Sequence, residues 1–142
     1  MTGWRAMGGA AVLALAAGAV SAEEQRAGAI AYAQAAEVSG GVGTGASIEE
    51  AIAAARTECV AGGARAEDCL ITAACAPAQW SVDIFVQHQE GPHWHEMLCG
   101  IADEALVAGV VAAVCDRAAR PWITECALVQ LRDPFGKARM EN

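Results

Sequence analysis

The sequence predicts an α+β fold: an antiparallel sheet with two helices on one face, built from an internal ββαβ duplication and stapled by disulfides. Three observations carry this. Two helical stretches, each opened by a capping residue (Ser47 and Asp103), alternate with β-prone runs. The distance from cap to helix cysteine, Ser47 to Cys59 and Asp103 to Cys115, is twelve residues in both cases. The step from helix cysteine to strand cysteine is ten residues for Cys59 to Cys69 and eleven for Cys115 to Cys126. Landmarks that recur in order mark a repeated supersecondary unit. Repeat one covers about residues 28–78 and repeat two about residues 79–132.

Residues 1–22 read as a signal peptide. Arg5 gives a positive start, residues 10–20 are apolar, and Val20-Ser21-Ala22 matches a small-residue cleavage site. The apolar run is too short and too rich in Ala and Gly to anchor a helix in a membrane. No Cys follows it, which argues against lipidation. Cleavage after Ala22 leaves Glu23 first and residues 23–142 as a single α+β domain. That mature part has eight basic against 17 acidic side chains, a net charge of −9. The balance repels nucleic acid and anionic membranes, and suits solubility or a basic partner. No membrane span is expected after signal cleavage. The expected location is periplasmic or secreted.

Residues 28–33 form a first strand. Residues 37–45 are Gly-rich and predict an irregular second strand whose glycines permit positive φ in a hairpin. Gly41-Val-Gly43-Thr-Gly-Ala46 before a helix has the outline of a dinucleotide fingerprint, but the gap from strand to helix is too long for that tight turn. Ser47-Ile-Glu-Glu50 is a capping box. Ile48, Ile52, Ala55 and Cys59 then make a narrow buried stripe at helical spacing. Gly62-Gly63 stops the helix. Residues 68–74 read as a strand. Asp103 caps a second helix running to about Ala119. Its interior, residues 105–114, is apolar on nearly every side and predicts a buried core helix. Pro121 ends it, residues 122–131 form the last strand, and the polar tail, residues 132–142, is expected to fray.

Six cysteines fit an oxidising compartment and allow fifteen pairings. The repeat selects Cys59–Cys69 and Cys115–Cys126, each tying a helix end to the next strand. Cys75 and Cys99 remain as the third pair. No Cys-x-x-Cys is present to suggest a zinc site.

Ala29-Ile-Ala-Tyr-Ala33, the Gly-rich segment, Ser47-Ile-Glu-Glu-Ala-Ile-Ala-Ala-Ala-Arg-Thr-Glu-Cys59, Asp68-Cys69 and Cys75 together resemble the small exported bacterial family of domain of unknown function 4189, over roughly residues 28–80. The aromatic hairpin of that family is replaced here by the Gly-rich segment. The resemblance implies a signal peptide, disulfides and an α+β fold. It implies no activity.

The functional signal is concentrated in residues 80–99, which hold all three histidines and two of the four tryptophans. Glu90-Gly91-Pro92 is a turn signal between two β-prone runs, so these residues predict a hairpin. With residues 89–92 as the loop, His88 faces His93 and Val86 faces His95. All three histidines then share one face. Three imidazoles at one point suit a divalent transition metal such as zinc, copper or nickel, with binding that weakens as pH falls through about 6.5. Trp94 beside Glu96 is a candidate binding surface. A small hydrolase using a histidine with Asp83, Glu90 or Glu96 is a third reading. No Ser-His-Asp or Cys-His arrangement is legible, so no catalytic residue is assigned. The leading reading is an exported, disulfide-stabilised binding or interaction module for a protein or small ligand. A metal-binding protein and a hydrolase are the alternatives.

Overall fold

The computed structural model describes residues 26–139. The expected signal peptide and its cleavage site lie outside the described residues. The elements in order are β1 (Ala29–Ala35), β2 (Ser39–Gly45), α1 (Ile48–Ala61), β3 (Leu70–Cys75), β4 (Trp80–His88), β5 (His93–Ile101), a 3-10 turn (Glu104–Leu106) leading into α2 (Val107–Val114), and β6 (Ile123–Arg132).

The strands make two three-stranded antiparallel sheets, ordered β2-β1-β3 and β5-β4-β6. The ββαβ unit is thus present twice. In each copy the first strand is central, its hairpin partner lies on one side, and the strand after the helix on the other. No helix among the described residues is long and apolar enough to cross a membrane.

Side chains alternate across each central strand. Ala29, Ala31, Ala33 and Ala35 point to Ala51, Ala55 and Cys59 of α1. Val82, Ile84 and Val86 point to Val107, Val110, Val111 and Val114 of α2. The opposite, helix-free faces meet each other. There Ile30, Tyr32 and Ala78 cluster with Val42, Met97 and Cys99. The Tyr32 hydroxyl bonds the Ser81 hydroxyl at 2.6 Å, both side chains being fully buried.

The caps form as the sequence indicates. Ser47 Oγ accepts from the Glu50 N–H at 3.3 Å, while Glu50 Oε2 accepts from the Ala46 N–H at 2.8 Å. Asp103 Oδ1 accepts from the Ala105 N–H at 2.9 Å. The cysteines pair as Cys59–Cys69, Cys75–Cys99 and Cys115–Cys126, leaving no free thiol. Two bridges lie within the copies, and Cys75–Cys99 joins one copy to the other.

Five local expectations are corrected. The glycines of β2 do not serve positive φ; among the described residues that conformation falls at Gly63, Gly91, Gly100 and Gly136 and at the non-glycine residues Glu37 and Gln79, Glu37 lying in the turn before β2. Instead α1 lies directly on the β2 backbone. A Cβ on Gly41 would stand 2.1 Å from the Ala55 carbonyl oxygen, and one on Gly43 2.2 Å from that of Ala51. The stripe of α1 shifts accordingly. Small Ala51, Ala55 and Cys59 are buried, while Ile48 is 36% exposed.

α2 ends at Val114, because residues after Cys115 turn on Asp116, whose Oδ1 accepts from the Ala118 N–H at 2.9 Å. It is not a buried core helix. Only Val107 is buried, and Ala108, Gly109, Ala112 and Ala113 are exposed. A short helix on one three-stranded sheet buries one stripe only.

The tail is folded as far as residue 139. Buried Asp133 accepts from the Phe135 and Lys137 N–H groups at 3.0 Å, and the Arg139 N–H returns to the Leu131 carbonyl at 2.8 Å.

Candidate functional site

The hairpin register decides which side chains converge. Residues 89–92 separate β4 and β5, as expected, but the pairing runs one step further, to His88 and Pro92, so that only residues 89–91 lie inside the closing pair. Gly91 takes φ 112°, and the His88 N–H bonds the Pro92 carbonyl at 2.8 Å. A three-residue hairpin loop closes in this way, with glycine in a left-handed position. Gln87 therefore pairs with His93, Val86 with Trp94 and Phe85 with His95. The register is one residue away from the expected one, and a one-residue slip exchanges the faces.

His88 consequently leaves the other two histidines. It lies on the helix side, stacked on Trp122 at 5.1 Å, with its Nδ1 accepting from the Glu90 N–H at 3.1 Å. His93 and His95 point to the helix-free face. Among the described residues no group of three His, Cys, Asp or Glu side chains is placed to hold a metal ion. The expected divalent transition metal at His88, His93 and His95 is therefore overturned.

Trp94 and Glu96 also lie on the helix side. The Trp94 indole N–H donates to Glu96 Oε1 at 3.3 Å, and Arg120 Nη1 donates to the same oxygen at 2.6 Å. Arg120 lies over the Trp122 ring at 5.5 Å, and the two indole rings are 5.6 Å apart. These groups satisfy one another at the end of the apolar core.

The helix-free faces do not close completely. A cleft of about 400 Å³ remains between them, with β1 and β2 on one side and β4, β5 and β6 on the other. Alternation sets its lining, so Asp83, His93, His95, Gln130 and Arg132 enter from one sheet and Gln34 from the other.

Two imidazole–carboxylate pairs sit here. His95 Nδ1 lies 2.6 Å from Asp83 Oδ1. This hydrogen bond, aided by the carboxylate charge, raises the His95 pKa above its ordinary value against the opposing effect of burial. The His95 N–H donates to Gln34 Oε1 at 3.0 Å, a link between the copies. His93 Nδ1 lies 3.9 Å from Glu37 Oε1. Phe85 stands beside both rings, with centroids at 5.5 and 5.8 Å. Deeper in, burial raises the pKa of Tyr32, so its phenol stays neutral and hydrogen-bonded to Ser81. Arg132 Nη1 donates to the Gly136 carbonyl at 2.9 Å, and its buried Nε–H has no acceptor among the described residues.

The arrangement can grip a polar ligand and exchange a proton at His95. It holds no activated nucleophile among the described residues. The Ser39 hydroxyl donates to the Cys59 carbonyl at 2.8 Å, Ser81 is committed to Tyr32, and every cysteine is bridged.

Sequence reasoning missed Arg132, assigned to a frayed tail; it named Asp83 among three carboxylates that could partner a histidine, but did not single out its pairing with His95. Alternation along β4 and β6 contains both, once the loop is given three residues. Comparison with protein-family models, curated proteins and solved structures gave no match.

Proposed function

We propose that the protein is an exported, disulfide-stabilised binding module whose ligand site is the cleft between its two sheets. One observation carries this reading: polar side chains from both copies converge on a cleft of about 400 Å³ that neither copy forms alone. Concave sites with a few convergent polar groups are the usual form of a small-ligand site. Export is supported by residues 1–22, by the use of every cysteine in a bridge, and by the resemblance of residues 28–80 to an exported family. The net charge of −9 after signal removal disfavours nucleic acid and anionic membranes as partners.

Amide-shift mapping of the mature protein against a chemically diverse fragment library tests the site. The expected hits perturb Gln34, His95 and Gln130. Hits confined to Arg120 and Trp122 or to α2 would overturn it. Export is tested separately, since exported protein should begin at or near Glu23.

A further inference from the structure

We propose that the cleft is an oxyanion site, in which a carboxylate or phosphate group of the ligand seats against the Arg132 guanidinium with His95 beside it. The proposal rests on the cleft being the ligand site and adds the chemical class of what it holds.

Arg132 is the anomaly that leads there. Two arginines among the described residues are half-buried, Arg120 and Arg132; the others are exposed. Arg120 has Glu96 at 2.6 Å and the Trp122 ring beneath it. Arg132 has neither. Its one hydrogen bond goes to a neutral backbone carbonyl, that of Gly136, and its buried Nε–H meets no acceptor among the described residues. A guanidinium cannot shed its charge at any ordinary pH. Taking such a group out of water without a counter-charge is costly. In a chain with an excess of acidic side chains, an unpaired half-buried arginine is not there for want of carboxylates.

The carboxylates around the cleft are already engaged. Asp83 holds His95, Glu37 stands by His93, and Glu58 Oε2 accepts from the Val42 N–H at 2.8 Å. None forms an ion pair with Arg132 among the described residues. The cleft therefore combines matched pairs with one unmatched cation. An arginine fork is suited to the two oxygens of a carboxylate or phosphate. Gln130, two residues before Arg132 on the same face of β6, places an amide beside it. Asp83 holds Nδ1 of His95 and leaves Nε2 for the ligand.

The test is a titration of the mature, disulfide-bonded protein, followed by amide and arginine side-chain NMR in a low-salt amine buffer. The probes are orthophosphate, acetate, methyl glucoside as a neutral control and methylammonium as a cationic one. Orthophosphate or acetate is expected to perturb Gln130, His95 and the Arg132 Nε–H saturably. A stronger response to orthophosphate assigns a phosphate source, and a stronger one to acetate a carboxylate source. Arg132→Gln should weaken that binding at least tenfold, and Arg132→Lys should retain part of it. The wild-type probe comparison stands even if the Arg132 variants fail to fold. If methyl glucoside or methylammonium occupies the cleft and neither oxyanion does, the oxyanion inference falls and the cleft remains the ligand site. If no probe perturbs the cleft, both readings fall. Unchanged oxyanion affinity in folded Arg132→Gln would also overturn the inference.

Discussion

Gly43 lies against Ala55 so closely that a Cβ on the glycine would stand 2.3 Å from the alanine nitrogen. The obstructing atom is helix backbone, which cannot rotate aside. Gly43→Ala should therefore lift α1 off β2 and destabilise the fold by about 1–3 kcal/mol, the usual range for overpacking. Gly40→Ala is the control. Its Cβ would meet nothing nearer than 3.7 Å, so its melting temperature should stay close to wild type. Equal melting temperatures for the two variants would contradict the close packing of α1.

The Tyr32–Ser81 hydrogen bond joins the two copies inside the protein. Tyr32→Phe leaves a fully buried serine hydroxyl without that partner, which should cost about 1–3 kcal/mol in urea unfolding. Adding Ser81→Ala removes the stranded group, so the double variant should lose less than the two single losses combined. Strict additivity would show that the two hydroxyls are not coupled.

His95 should titrate above its ordinary value of 6.5, and Asp83→Asn should lower that pKa. The sign of the stability effect follows by linkage. Because the folded-state pKa is raised, the stabilisation is fully present below the unfolded value and is lost as pH rises through the folded value. The stability gap between wild type and Asp83→Asn should be widest near pH ~5.5 and narrow toward pH ~8. Imidazole proton shifts and unfolding curves at several pH values check both statements. A gap that widens with rising pH would contradict the pairing.

Much of the fold was legible because its signals are local or repetitive. Ser47 and Asp103 announce caps by chemistry alone, and the repeated cysteine spacing selects one of fifteen pairings. The site was less legible. The faces of His88, His93 and His95 depend on a single residue of loop length, and Glu90-Gly91-Pro92 is compatible with either count. The glycines of β2 posed a similar ambiguity, since composition does not separate positive φ from a helix lying on the strand. The uncharged α2 reads as buried because hydropathy reports what a segment can bury, not what covers it. Arg132 looks like an ordinary tail residue until β6 is aligned with Ser81 of β4.

The cleft exists because the helix-free faces of the two copies meet, and the methyl group of Met97 reports that meeting most directly. Met97 belongs to β5, yet it packs in the cluster of Ile30 and Tyr32, and a Cβ on Gly40 would stand 3.8 Å from its Cε. In a methyl-resolved NOE spectrum of the oxidised protein, the Met97 methyl should show cross-peaks to the Tyr32 ring and to the Gly40 α protons. Cross-peaks confined to residues of β4 and β5, with none to β1 or β2, would mean that the faces do not close on each other and that the cleft around Asp83, His95 and Arg132 is not formed.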